Sequence, residues 1–106
     1  MKYINILFLL LFYIGTAQNT TVPIQDPNFE QALIDLNIDD SIDGEVQIDS
    51  INSLNHLNVD SKNISDLSGI ENFQALDTLV VSNNQLSSID SSNLDSLDYL
   101  DASYNN

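Results

Sequence analysis

The segments LDTLVVSNN at residues 76–84 and LDYLDASYN at residues 97–105 follow one pattern, Leu-x-x-Leu-x-apolar-x-x-Asn. The segment LNHLNVDSK at residues 54–62 follows it with one mismatch, because Lys62 stands where the other two end in asparagine. The first leucines of the three segments are spaced by 22 and then by 21 residues. A period of this size indicates one structural unit that is stacked on itself several times.

The period and the leucine positions together are typical of a leucine-rich repeat. We therefore predict an α/β fold in which each repeat contributes one short parallel strand, at residues 56–60, 78–82 and 99–103. Alternate side chains of a strand face opposite ways, so one set of them fills the core. The predicted core residues of the strands and returning segments are Leu57, Val59, Leu79, Val81, Leu100, Ala102, Ile64, Leu67, Ile70, Phe73, Leu86, Ile89 and Leu94.

Two of the repeats end in a turn asparagine, Asn84 and Asn105. An amide side chain offers donors and an acceptor, and the buried backbone groups of a bending loop need both. We predict that Asn84 and Asn105 form a structural asparagine ladder. In the first repeat Lys62 takes this position and Asn63 follows it, so either the ladder starts irregularly or the register shifts there.

A helix is predicted from residue 27 to about residue 37. Asp26 is a good N-cap, and Pro27 is a good first helical residue. The apolar side of this helix carries Phe29, Leu33 and Leu36, and its polar side carries Glu30, Gln31 and Asp35. Terminal repeats of a solenoid need a cover with a polar outer face, so we interpret the helix as an N-terminal cap. Residues 46–51 are expected to hold a first strand or an irregular first repeat.

The first 17 residues have the features of a secretory signal peptide. Lys2 precedes an apolar run at residues 4–14, which is too short for a bilayer span of roughly 20 residues. Small residues precede a cut after Ala17, and the alternative is a retained membrane anchor. The predicted organisation is a signal peptide at 1–17, a polar lead with cap helix and irregular first repeat at 18–53, and leucine-rich repeats at 54–106, the last one truncated.

The charge balance narrows the possible partners. Loss of residues 1–17 leaves 16 acidic residues against Lys62 alone, a net charge of about −15. Nucleic acids and anionic membranes attract Lys and Arg, so we predict that the protein binds neither of them. We also predict no membrane insertion of the mature chain. Cysteine is absent, so packing, a metal or neighbouring parts of a longer chain must hold an exported protein of this size together.

Two longer segments resemble secreted bacterial leucine-rich repeat proteins that are internalin-like in repeat length. LNVDSKNISDLSGIENF at residues 57–73 resembles their first repeat, and VPIQDPNFEQAL at residues 22–33 resembles their N-terminal cap. The resemblance implies a right-handed horseshoe with parallel strands on its concave face, more repeats than are present here, and often a C-terminal domain for type IX secretion. We accordingly expect an N-terminal fragment that exposes the apolar edge at Leu97, Leu100 and Ala102 and is poorly soluble as residues 18–106 alone.

The outward-facing strand residues are the predicted binding face. They form three rows across the concave face: His56, Thr78 and Tyr99; Asn58, Val80 and Asp101; Asp60, Ser82 and Ser103. Tyr99 and Val80 are the most indicative, because exposed aromatic and apolar side chains on a polar face often anchor partners. The alternative is an ordinary solvated strand surface.

The acidic segment after the predicted helix partly matches a calcium loop. Asp39, Ser41, Asp43 and Glu45 supply oxygen ligands around Gly44 at the sixth position, but Ser50 stands where a bidentate Glu is needed. We predict no metal, keep these four residues as a calcium candidate, and note that a polar turn explains them equally well.

Catalysis is not indicated. His56 is the one histidine, cysteine is absent, and no acid and base pair is evident, so we predict a non-enzymatic protein without cofactors. The leading hypothesis is a secreted or cell-surface scaffold that binds a protein or polysaccharide through its concave face. The alternative is a spacer or docking arm of a longer exported protein whose activity, enzymatic or not, lies beyond Asn106.

Overall fold

The structure, a computed structural model, describes residues 20–106, and the predicted signal peptide at 1–17 lies outside the described residues. The strands and helices follow in the order β1 (Thr21–Pro23), α1 (Pro27–Asp35), β2 (Glu45–Gln47), α2 (Ile48–Ile51), β3 (His56–Asn58), β4 (Thr78–Val80) and β5 (Tyr99–Asp101). A short 3-10 helix, Ile70–Asn72, lies between β3 and β4.

Strands β3, β4 and β5 form a parallel sheet in chain order. His56 pairs with Thr78, and Thr78 pairs with Tyr99. The strands begin at the predicted residues but end two residues earlier than predicted. In β3 the reason is local, because the Asn58 side chain accepts the Asp60 N–H at 3.0 Å and turns the chain. Backbone hydrogen bonds between repeats nevertheless continue past the strands, as from the Val59 N–H to the Val80 carbonyl.

The core lies behind the parallel sheet. Leu57, Val59, Leu79 and Val81 are each at most 1% exposed, as alternation along the strands predicts. The returning segments add further large buried side chains, namely Ile64, Leu67, Ile70, Phe73, Leu86 and Leu94. The Phe29 and Phe73 rings lie 6.0 Å apart between centroids, so an aromatic pair joins helix α1 to the repeats.

Three residues predicted for the core are not fully buried. Leu100 is 42% exposed, because no strand pairs with the outer edge of β5 among residues 20–106. Ala102 and Ile89 are partly buried against the core. Burial therefore weakens towards the last described repeat.

Helix α1 begins as predicted, because the Asp26 side chain accepts the Asn28 N–H at 2.8 Å and Pro27 follows. The helix ends at Asp35, and Asn37 adopts a left-handed φ of 61°. Leu36 is therefore a C-cap residue and 47% exposed, so its predicted place on the buried side of the helix is wrong. Glu30, predicted on the polar outer side, is 1% exposed, so that placement is also wrong.

Strand β1 arises within the stretch that we interpreted only as a polar lead. It pairs with β2 in antiparallel register, and Val22 and Val46 meet in the buried middle of this pair. Residues 46–51, expected to hold a first strand or an irregular first repeat, contain the end of strand β2 followed by the short helix α2. A three-residue strand that pairs with a segment more than 20 residues away leaves no periodic signal in the local sequence.

Candidate functional site

The nine residues predicted as a binding face lie on the side of the parallel sheet opposite the core, and we call this surface the outer sheet face. His56, Asn58, Tyr99 and Ser103 are exposed, whereas Asp60, Thr78, Val80 and Asp101 are half-buried. Ser82 is only 6% exposed, so it supports its neighbours and offers a partner little surface.

The Asp60 carboxylate accepts hydrogen bonds from the next repeat and from its own neighbour in the chain. Its Oδ1 atom accepts the Ser82 hydroxyl at 2.6 Å and the Asn83 amide at 2.8 Å, and its Oδ2 atom accepts the Ser61 hydroxyl at 2.9 Å. These hydrogen bonds, that from Asn83 above all, lower the pKa of the Asp60 carboxyl. Asp60 is therefore an ionised group with a fixed orientation.

Asp101 has a similar arrangement within its own repeat. Its Oδ1 atom accepts the Ser103 hydroxyl at 2.6 Å and the Ser103 N–H at 3.0 Å, and these bonds lower the pKa of the carboxyl. The negative charge of Asp60 raises the pKa of the Asp101 carboxyl in part. Two ionised carboxylates therefore lie near each other on the outer sheet face.

Exposed apolar surface is concentrated at the last described repeat. Tyr99 is 55% exposed and Leu100 42%. Tyr104 is 81% exposed and adopts a left-handed φ of 57°, as do Ser61 and Asn83 at the matching positions of the earlier repeats. His56 makes no side-chain hydrogen bond within the described residues.

Asn84 connects two neighbouring repeats from a buried position. Its Oδ1 atom accepts the N–H groups of Lys62 and Ile64, both at 3.0 Å. Its amide nitrogen lies 3.0 Å from the carbonyls of Val59 and Val81. Both polar ends of the amide are therefore used on backbone of this repeat and the one before it.

Asn105 repeats three of these four contacts in the next repeat. It accepts the Leu86 N–H at 2.9 Å and donates to the carbonyls of Val81 and Ala102, both at 3.0 Å. It is half-buried, in line with the thinner packing at that end. In the first repeat, Lys62 occupies the matching position and contributes its backbone N–H to the next asparagine.

The calcium-candidate residues separate into two groups. Asp39 and Asp43 point towards a common space, in which a third carboxylate, that of Glu30 in α1, also lies, and the ligand oxygens of all three are within 4.8 Å of one another. The Ser41 hydroxyl instead donates hydrogen bonds to the Asp40 and Asp43 carboxylates. The Glu45 carboxylate accepts the Thr21 hydroxyl at 3.2 Å. Asp39 and Asp43 thus share a carboxylate cluster, whereas the other two calcium-candidate residues, Ser41 and Glu45, lie outside it.

Glu30 is the residue that sequence reasoning missed. Its carboxylate accepts the N–H of Asp43 at 3.1 Å and the N–H of Gly44 at 3.0 Å. Burial raises the pKa of the Glu30 carboxyl, the two backbone donors lower it, and the neighbouring carboxyls of Asp43 and Asp39 raise it again. No signal marked it in advance, because an acidic residue in a first helical turn is ordinary.

Comparisons with known proteins identify the fold. An internalin (inlF) from Listeria monocytogenes strain 4b F2365 is similar in structure, with a TM-score of 0.69 and 23% sequence identity. The match covers 79% of this chain and 27% of that structure. At this identity the likeness shows the fold alone, which is of the leucine-rich repeat type.

Other comparisons add no assignment. No protein-family model matches the chain, and no curated protein matches it either. In the described part of the chain, none of the helices has the length and apolar character needed to cross a membrane.

Proposed function

We propose that this protein is a recognition scaffold, secreted or displayed at the cell surface, that binds a protein partner through the outer sheet face. The binding face would be the concave side of a right-handed horseshoe built by successive repeats. Binding without catalysis is the whole of its proposed mechanism, and polysaccharide is the second ligand class.

The observation that carries the proposal is the combination of fixed polar groups and exposed anchors on one face. Asp60 and Asp101 are oriented before any partner arrives, so binding costs little side-chain entropy at these positions. Tyr99 adds a large exposed aromatic surface beside them, of the kind that often contributes most of the energy of an interface.

A shallow groove extends this surface towards the cap. It is lined by Asp35 at the end of α1, by the C-cap residue Leu36, and by Asn58, Asp60 and Lys62 from the first repeat. The groove provides a continuous path from the helix to the sheet, which supports a partner of protein size more than one of small-molecule size.

Binding assays on an immobilised protein test the proposal. Polysaccharides and extracellular protein domains would be passed over the wild type and over a Tyr99→Ala, Val80→Ser double variant. A control would carry Ser87→Ala and Asn93→Ala, which alter exposed residues outside the outer sheet face. We expect roughly 30-fold weaker binding from the double variant, since one anchor contributes about 2 kcal/mol, and unchanged binding from the control.

Two results would contradict the proposal. Equal binding by the double variant and the wild type would place the ligand elsewhere on the protein. A complete lack of binding across both ligand classes would favour the alternative of a spacer or docking arm.

A further inference from the structure

The outer sheet face carries negative charge that the described chain does not balance. All 16 Asp and Glu residues of the sequence lie among residues 20–106, whereas Lys62 is the one Lys or Arg there. The hydrogen bonds that Asp60 and Asp101 accept come from neutral Ser and Asn groups. The bond from Asn83 lowers the pKa of Asp60 most, and the charge of Lys62 lowers it least. The charge of both carboxylates therefore stays available to a partner.

Both carboxylates also keep free acceptor positions. A carboxylate offers about four lone-pair sites. In Asp60, Oδ1 accepts two hydrogen bonds and Oδ2 accepts one, so one position remains at Oδ2. In Asp101, Oδ1 accepts two hydrogen bonds, and Oδ2 accepts none from residues 20–106. The internal bonds thus hold each carboxylate in place and leave about three positions open between them.

A cation suits these positions better than a neutral hydroxyl group does. The hydrogen bonds from Ser103 lower the pKa of Asp101, whereas the charge of Asp60 raises it, because the two carboxylates repel each other. A neutral hydroxyl can occupy a lone pair but leaves this repulsion unchanged, whereas a guanidinium or ammonium group relieves it. Charge-assisted hydrogen bonds are also roughly twice as strong as those between neutral groups.

Tyr99 favours arginine over lysine as the source of the cation. The side chain is 55% exposed and lies two residues before Asp101 in β5, so both side chains leave the strand on the same side, about 6.6 Å apart along it. A planar guanidinium can stack on an aromatic ring and donate to a carboxylate at the same time. An ammonium group is a compact point charge without a plane to stack.

The separation of the two carboxylates requires more than one basic side chain. Asp60 follows β3 and Asp101 ends β5, and β4 lies between these strands. Neighbouring strands are about 4.8 Å apart, so β3 and β5 are separated by roughly 10 Å. The groove beyond Asp60 adds a third carboxylate, that of Asp35. A polypeptide segment with several basic residues can reach all of these positions together.

We propose that the outer sheet face binds an arginine-rich, positively charged segment of a partner protein, with guanidinium groups on Asp60 and Asp101 and one of them stacked on Tyr99. This inference rests on the proposed function and specifies the chemistry of the partner. Uncharged and acidic ligands offer no cation to either carboxylate and are disfavoured on this face.

Binding of defined probes to the immobilised protein tests the inference. The probes are hexa-arginine, hexalysine, a neutral glycine-serine hexapeptide and neutral dextran, each at low and at high salt. We expect hexa-arginine to bind most tightly and to weaken as salt rises, because exposed charges are screened. The double variant Asp60→Asn, Asp101→Asn should bind it about three- to tenfold more weakly, as expected for two partly exposed ion pairs. The matched control, Asp49→Asn with Asp95→Asn, removes the same charge from two exposed positions outside the outer sheet face and should change binding less.

A second variant separates stacking from charge. Tyr99→Leu keeps the net charge and an apolar side chain but removes the aromatic ring. It should weaken hexa-arginine binding about two- to fivefold, the range for an exposed cation–π contact, and hexalysine binding less. Equal losses for the two peptides would overturn the assignment of arginine.

Further outcomes would overturn the inference as a whole. Equal weakening by the Asp60, Asp101 variant and by its control would indicate diffuse attraction to an acidic protein. Tighter binding of dextran than of hexa-arginine would assign the face to the second ligand class. A protein domain whose binding is lost in the Tyr99→Ala, Val80→Ser variant but unchanged in the Asp60, Asp101 variant would leave the scaffold proposal intact and refute the basic partner. A complete lack of binding would instead contradict the scaffold proposal itself, and this inference with it.

Discussion

Replacing Asn84 with alanine tests whether a single buried amide holds neighbouring repeats together. The substitution keeps the backbone and removes every hydrogen bond of the side chain. The Ile64 N–H and the Val59 carbonyl are buried, and each loses its contact with the amide. The Val81 carbonyl also loses this contact but still accepts the Asn105 amide at 3.0 Å. The Lys62 N–H also loses its acceptor, but it lies near the surface, where water can replace the amide.

The expected loss of stability follows from these two buried groups. Leaving one buried donor or acceptor unsatisfied costs about 1–3 kcal/mol. Two such groups give about 2–6 kcal/mol, and water entering the space left by the side chain reduces this to about 2–4 kcal/mol. With a urea m value of about 1 kcal/mol/M for a small domain, the unfolding midpoint should fall by roughly 2 M or more.

The chain provides its own graded controls. Asn105→Ala removes the equivalent contacts at a half-buried position, so its cost should be smaller than that of Asn84→Ala. Asn93→Ala removes an exposed amide from the last returning segment and should change stability by less than about 0.5 kcal/mol. Urea unfolding followed by far-ultraviolet circular dichroism gives all three values. Equal costs for Asn84→Ala and Asn93→Ala would refute the argument that the amide secures the turn.

Further predictions concern the cap and the outer sheet face. Gly69→Ala should lower the thermal unfolding midpoint far more than Gly44→Ala. A Cβ at Gly69 would lie 2.6 Å from the Pro23 carbonyl oxygen, whereas a Cβ at Gly44 would meet no atom within 4 Å. Similar midpoints for the two variants would contradict this prediction. Asp26→Ala should lower the free energy of unfolding in urea by about 1–3 kcal/mol, because it removes both the helix cap and the acceptor of the Ser65 and Asp66 N–H groups. A loss below about 0.5 kcal/mol, which is typical of a surface substitution, would count against this prediction. Ser82→Ala should raise the pKa of Asp60 and leave that of Asp66 unchanged in a carboxyl NMR titration. A pKa that is lowered in the folded state stabilises the protein at pH values above the unfolded-state pKa of Asp, about 3.9. The difference in stability between Ser82→Ala and the wild type should therefore be full at neutral pH and disappear as the pH falls through the folded-state pKa of Asp60. A difference that persists in acid would refute the linkage.

The parts of the fold that were predictable depend on local or periodic signals. The start of the cap helix was predictable because Asp26 and Pro27 favour a helix N-terminus through contacts with adjacent residues. Leu57 and Leu79 were correctly assigned to the core because strand alternation fixes which way a side chain points. The end of the helix was not predictable to the residue, and Leu36 was misplaced as a result.

The candidate sites were predictable only in part. The rows of the outer sheet face follow from the strand register, but the burial of Ser82 depends on its hydrogen bond to Asp60 in another repeat. The acidic loop was visible as a motif, yet its third carboxylate comes from a helix earlier in the chain. Contacts between segments far apart in sequence leave no pattern in either segment.

The sequence by itself determined the repeat, the start of the cap and the identity of most core residues, because each of these depends on spacing or on adjacent residues. Only the tertiary structure decided that Glu30 turns inward to meet Asp39 and Asp43, and that Asp26 both caps α1 and accepts N–H groups from the first returning segment. The physical reason is that the burial of a polar side chain depends on the partners that satisfy it, and those partners become neighbours only when the chain folds.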